Sequence, residues 1–309
     1  MDLKQLHQSL YPLGLAYQHH LCKSKKKSDK EVTLLIQGRN EFMGMYSHII
    51  PFFLHEIKTD LFMFDLRGQG HSSGIPAHIN SFQEYLHDMK AIVETLRTFY
   101  SKVHIVSHST GGLISGLFIG LWPASLGEGA TVFFGSPFFG LKSSGAQQLL
   151  LNTKLRQVIN TYDTIFRLFP HIRMKRFEFS PTPNFKENSL TTDHFFYENF
   201  DEHSLKCGPP TWCWLNQCMK AQMATRNLAH TIKLPIFMAL AEQDSVVNNH
   251  ANYHFFLKGK RHQRPWVLKR FRGMKHSLFL SPKKTRERLL NMIKDFQKNP
   301  KGFHSKYSP

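Results

Sequence analysis

The segment Ser107-His108-Ser109-Thr110-Gly111-Gly112 constrains this chain more than any other stretch. The apolar run Val103-His104-Ile105-Val106 precedes it, and Leu113-Ile114-Ser115-Gly116-Leu117 follows it. The pattern predicts a strand, a very tight turn and a helix. A serine at such a turn stands exposed at the carboxyl end of its strand, where the helix amides behind it can hold a developing oxyanion. Backbones crowd at the turn, so its first flanking position needs a small residue, here Ser107 in place of the commoner glycine. Taken alone, the segment has a second reading. Ser109 and Thr110 are good N-capping residues, and a serine that only starts a helix gives the same local pattern.

The surrounding sequence predicts the sheet that such a turn requires. Val32–Ile36, Leu61–Asp65, Val103–Val106, Thr131–Phe134, Ile236–Leu240 and Trp266–Leu268, the last extending toward Phe271, are short apolar runs without a polar face. Runs of this kind are typical of buried parallel strands. Phe82, Tyr85, Leu86, Met89, Ile92, Val93 and Leu96 recur at helical spacing behind a Ser81/Glu84 capping box. Ser281-Pro282 opens a last helix carrying Leu289, Leu290, Ile293 and Phe296. Alternating strands and helices predict an α/β fold, a mostly parallel doubly wound sheet with right-handed crossovers. The alternation stops between Gly140 and Thr231, a stretch too long for a loop. The expected organisation is a core from 1–139 and 232–309, interrupted by a mainly helical insertion over 140–231.

Composition narrows the class. The 309 residues are 41% apolar, enough for a large core. No run approaches the roughly 20 apolar residues of a membrane span, and the start of the chain does not read as a signal peptide. Cys22, Cys207, Cys213 and Cys218 form no Cys-x-x-Cys pair, so reduced thiols in a cytoplasmic protein are expected rather than a metal site. The formal charge is +18, concentrated in Lys23–Lys27, Lys258–Arg261, Lys269–Arg272 and the C-terminal segment. Such a field attracts anionic lipid surfaces or nucleic acid, and no recognisable nucleic-acid module accompanies it. Peripheral contact with an anionic membrane, on its inner face, is the expectation. A basic surface with no dedicated partner stays open.

A serine nucleophile needs a base, and the base needs an acid to orient it. In this fold class the three follow in the order serine, acid, histidine. Asp244 follows the fifth apolar run and His276 follows the sixth, both on the sheet edge that would carry Ser109. Asp244 also suits a helix cap, Glu242 is a rival acid, and His276 is one of 19 histidines. The agreement of order and placement across three distant residues favours Ser109, Asp244 and His276 as the catalytic set. The oxyanion amides expected are those of Thr110, directly after the nucleophile, and Arg39, in the loop after the first core strand. No cofactor and no metal is called for by this chemistry.

The ordered set Gly38-Arg39-Asn40-Glu41, Asp65-Leu66-Arg67-Gly68-Gln69-Gly70-His71-Ser72, the Ser109 turn, Asp244 and His276 resembles serine α/β-hydrolases of the monoacylglycerol lipase and bacterial lysophospholipase branch. Asn188–Asp193 and Gly208–Trp212 are similar to segments of the bacterial lysophospholipase-like members. The resemblance, spanning about Thr33 to Phe296, implies a sheet under a helical cap with an acyl pocket between them. It implies the Ser109, Asp244 and His276 triad with Arg39 and Thr110 amides. Ser107, Gln37 and Ser277 depart from the family pattern, which more often has glycine, histidine and an acidic residue there.

The expected activity is carboxylic-ester hydrolysis of a lysophospholipid or monoacylglycerol through an acyl-enzyme. In the insertion, Leu149–Leu151, Phe166, Leu168, Phe169, Phe195 and Phe196 suit an acyl pocket or core packing. Two alternatives remain: an acyltransferase using the same acyl-enzyme, and a non-enzymatic basic binding protein on a hydrolase scaffold. His55-x-x-x-x-Asp60 matches an acyltransferase signature superficially, but its position between helix and strand reads as a connector.

Overall fold

A computed structural model describes residues 8, 10–23, 30–142, 145–176, 184–200, 207–260 and 265–303. Its sheet has seven strands: β1 (Tyr17–His20), β2 (Glu31–Ile36), β3 (Asp60–Phe64), β4 (Lys102–His108), β5 (Val132–Gly135), β6 (Ile236–Ala241) and β7 (Trp266–Phe271). Their spatial order is β1-β3-β2-β4-β5-β6-β7, parallel except for the antiparallel edge strand β1. The six strands expected from the apolar runs are present. β1 was not expected, because Tyr17-Gln18-His19-His20 is polar and only partly buried. An edge strand covered on one side needs no continuous apolar run.

Alternate residues feed opposite faces of the sheet. Val32, Leu34, Ile36, Phe62 and Phe64 point into one core, with α1 (Gln83–Phe99) and α2 (Thr110–Leu121). Leu35, Leu61, Met63 and Val106 point into the other, closed by the contiguous helical segments Met43–Ile49, Ile50–Phe52 and Phe53–Ile57 and by the last helix (Lys283–Lys298). The expected capping box forms. Ser81 Oγ accepts from Gln83 N–H at 3.3 Å, and Glu84 Oε1 accepts from Ser81 N–H at 3.0 Å.

Between Gly140 and Thr231 the described residues form α3 (Gly145–Leu168), α4 (His194–Phe200) and α5 (Trp212–Leu228), with no strand of the sheet. Trp214, Leu215, Cys218 and Ala221 of α5 share the core of α1 and α2, so this helix packs in the layer directly beside the nucleophile's helix. The chain continues through α6 (Asn249–Lys260) and α7 (Lys283–Lys298). All four cysteines are reduced and buried. Among the described residues, no helix is long and apolar enough to cross a membrane.

Candidate active site

The turn at Ser109 is as tight as the sequence requires. Ser109 has φ 51° and ψ −114°, a strained conformation for a residue with a side chain, costing on the order of 1–3 kcal/mol. Its N–H donates to Gly135 O at 3.0 Å, and its carbonyl accepts from Phe138 N–H at 2.9 Å and Leu113 N–H at 3.2 Å. These bonds on both sides hold the turn in place. A Cβ at Gly111 would lie 2.3 Å from Ile36 O, so only glycine lets α2 approach the end of β2 this closely. Ser107, the departure from glycine, uses its hydroxyl structurally. It donates to Phe133 O at 3.0 Å and accepts from Ser115 Oγ at 3.1 Å.

The three residues singled out at strand ends meet. His276 Nε2 lies 2.9 Å from Ser109 Oγ, and His276 Nδ1 lies 2.7 Å from Asp244 Oδ2. The carboxylate only accepts, so Nδ1 carries the proton and Nε2 presents its lone pair to the Ser109 hydroxyl. Burial opposes ionisation of Asp244. The facing His276 and the Val246 and Val247 amides outweigh it and hold the carboxyl below its ordinary range. The Asp244 carboxylate therefore caps and orients at once, accepting both amides through Oδ1 at 2.8 and 3.0 Å. Glu242, the rival acid, is exposed and accepts from Gly273 N–H at 3.0 Å instead. Lys142 Nζ also donates to the Asp244 carbonyl.

The loop carrying His276 is held from above by the segment Phe185–Thr192. His276 N–H donates to Ser189 O at 3.2 Å and Ser277 N–H to Leu190 O at 2.8 Å. Thr191 Oγ1 donates to Leu280 O at 2.5 Å, and Lys275 Nζ reaches Phe185 O at 3.2 Å and Lys186 O at 3.0 Å. Asn188 shapes this strap from within. Its Oδ1 accepts from Leu190 and Thr191 N–H at 3.0 and 2.9 Å, and its Nδ2 donates to Phe185 O and Thr191 O at 2.5 and 3.1 Å. The sequence marked Asn188–Asp193 as a recognisable segment but gave Asn188 no task, because its partners lie across a tertiary contact.

The loop expected to supply an oxyanion amide, Gly38–Glu41, lies against the nucleophile. A Cβ on Gly38 would be 3.0 Å from Ser109 Cβ. Glu41 is buried there, its Oε2 accepting Gly38 N–H and Tyr46 O–H, both at 2.6 Å. The His108 ring lies 4.7 Å from the His276 ring, and burial lowers its basicity against the opposing pull of Glu41. Above the loop, the Arg39 guanidinium donates to Gly208 O at 2.7 Å and lies 5.9 Å from the Trp214 ring centroid. Gln37, where relatives have histidine, donates to Asp65 Oδ1 at 3.2 Å.

Residues 27–283 match the family described as serine aminopeptidase, S33. The chain belongs to this family. Over 244 residues the hydrolase is 25% identical to the probable lysophospholipase L2 of Haemophilus influenzae, spanning 77% of this chain and 74% of that protein. Over 283 residues it is 25% identical to lysophospholipase L2 of Escherichia coli K12, spanning 86% and 79%. Among solved structures, monoacylglycerol lipase of Paleococcus ferrophilus superposes with a TM-score of 0.73 at 17% identity, covering 93% of this chain and 99% of that one. A soluble variant of the Saccharomyces cerevisiae monoglyceride lipase gives 0.69 at 15% identity, covering 93% and 92%. The α/β-hydrolase fold expected from the sequence is the fold of this hydrolase.

Three sequence expectations have a different outcome or fall elsewhere. Asp60 of the acyltransferase-like pattern is occupied as a connector residue, accepting Cys22 N–H at 2.8 Å and Tyr100 O–H at 2.7 Å. Of the insertion's apolar residues, Phe196 packs on His48 and Phe166 on Tyr162, whereas Leu168, Phe169 and Phe195 are exposed. The side chains of Leu149–Leu151 lie outside the described residues, as do Lys25, Lys26, Lys27 and Arg261.

Proposed function

We propose that this chain is a serine carboxylic-ester hydrolase of single-chain lipids, a lysophospholipase or monoacylglycerol lipase working through an acyl-enzyme. The observation that carries the reading is the unbroken hydrogen-bonded chain from Ser109 through His276 to Asp244, set on a strained turn. Ser109 Oγ attacks the acyl carbonyl while His276 Nε2 takes its proton, and Asp244 holds the working tautomer. The Arg39 and Thr110 amides receive the negative charge on the carbonyl oxygen. His276 then protonates the departing alcohol, and water releases the fatty acid by the same route in reverse. The lipid class comes from the relatives' lysophospholipase and monoacylglycerol lipase names. Helical residues 140–231 cap the core formed by 1–139 and 232–309, and the acyl chain lies between them.

The +18 charge would bring the enzyme to anionic membrane surfaces from the cytoplasmic side, each basic residue near the surface contributing about 1 kcal/mol. Binding to anionic vesicles should then fall steeply with salt, while binding to neutral vesicles stays weak. The decisive experiment is fatty-acid release from a panel of lysophospholipids, monoacylglycerols, short esters and amino-acid arylamides, with a fluorophosphonate label on the nucleophile. Ser109→Ala should abolish labelling and lower turnover at least ~10³-fold. Cleavage of the arylamides and of no ester would replace this reading with a peptidase. Acyl transfer to glycerol outrunning release to water would replace it with an acyltransferase.

A further inference from the structure

Gln69 grips both sides of Arg39. Its Nε2 donates to Gly38 O at 3.2 Å, and its Oε1 accepts from Asn40 N–H at 2.6 Å. The residue between these two anchors is the one whose amide should meet the oxyanion. A peptide unit is planar, and in the trans form its C=O and N–H point in opposite directions. No peptide bond among the described residues is cis. Fixing the Gly38 carbonyl toward Gln69 therefore fixes the Arg39 N–H away from Gln69, on the side where Gly38 meets Ser109.

We propose that Gln69 is the positioning residue of the oxyanion hole, its side-chain amide setting the plane of the Gly38–Arg39 peptide so that Arg39 N–H faces the developing oxyanion. This rests on the ester-hydrolase reading above. A flipped peptide would present the Gly38 carbonyl to the oxyanion and repel it. Only a primary amide offers a donor and an acceptor on one planar group of this length. Its orientation is locked by a third contact, because Cys207 Sγ–H donates to Gln69 Oε1 at 3.3 Å. Burial pushes the Cys207 thiol up, so it stays protonated and keeps donating. Two further bonds stop the loop from sliding. Glu41 Oε2 accepts Gly38 N–H at 2.6 Å, and Asn40 Oδ1 accepts Gly208 N–H at 3.0 Å.

Gln69→Glu and Gln69→Met test the proposal. Glutamate keeps the length and the acceptor but, when ionised, turns an acceptor on the Gly38 carbonyl. Methionine keeps the bulk and neither bond. Each variant should lose about 10²-fold in kcat with KM within about threefold, the signature of an interaction made in the transition state. Affinity for a trifluoromethyl ketone, whose adduct carries an oxyanion, should fall in parallel with kcat. For Gln69→Glu alone, kcat divided by the wild-type value at the same pH should rise as pH falls, because the protonated carboxyl again donates to Gly38 O. The titratable and charged groups around this position are the Cys207 thiol, the Arg39 guanidinium and, behind the turn, the Asp65 carboxylate that accepts His71 N–H. Wild-type kcat in both variants, or a change confined to KM, overturns the proposal. A wild-type protein that takes no fluorophosphonate label and hydrolyses no ester overturns the reading beneath it as well, and so separates the two failures.

Discussion

Replacing Asn188 by alanine should damage catalysis from a residue that touches no substrate. Asn188 is 6% exposed and makes four hydrogen bonds inside the strap that holds the His276 loop. A net 0.5–1.5 kcal/mol for each bond gives about 2–6 kcal/mol, and some freed backbone groups will recover water, leaving roughly 2–4 kcal/mol. For a chain of this size that lowers the melting temperature by about 5–10 °C if the strap unfolds with the core. The loosened strap also releases the Ser189 and Leu190 carbonyls from His276 and Ser277 N–H. A displacement of His276 by about 1 Å can cost on the order of 10²-fold, so kcat should fall roughly 10–100-fold. Asn188→Asp should not rescue, because it keeps the two accepting bonds and sets a carboxylate against the Phe185 and Thr191 carbonyls. Thermal unfolding and steady-state kinetics on a soluble ester measure both effects. A variant that melts early yet keeps wild-type kcat would show that the strap does not position His276.

Ser107→Ala should cost about 1 kcal/mol of stability from its bond to Phe133 O and leave turnover near wild type, a sharp contrast with Ser109→Ala. Asp244→Asn should lower kcat about 10⁴-fold by favouring the wrong His276 tautomer, while Glu242→Gln should leave it near wild type; the reverse ranking would exchange the acids. Glu31 is drawn from 4.5 to about 2 by its hydrogen bond from His104, helped by Lys102 and opposed by burial. A depressed carboxyl stabilises fully above its unfolded value, and that stability is lost as pH falls from about 4.5 toward 2. Because Glu31 is partly exposed, screening limits the effect to roughly 1 kcal/mol, read as the difference in urea stability between wild type and Glu31→Gln across that window.

The sequence determined the architecture and the reacting atoms. Buried parallel strands have no polar face, so Val32–Ile36, Leu61–Phe64 and Ile236–Leu240 were legible as apolar runs. The nucleophile turn was legible because crowding restricts Ser107–Gly112 to small residues within six consecutive positions. Asp244 and His276 were legible because a parallel sheet brings successive strand ends to one edge. β1 escaped because a polar edge strand carries no such pattern. Tertiary structure alone chose Asp244 over Glu242, since two carboxylates two residues apart differ only in which way the loop turns them. It alone gave Gln69 and Asn188 their tasks. Each grips backbone groups rather than side chains, and every residue has a backbone, so no residue pattern announces such a partner. What the chain can react with is written in side-chain identity and order; how firmly those groups are aimed depends on hydrogen bonds between segments that meet only when the chain is folded.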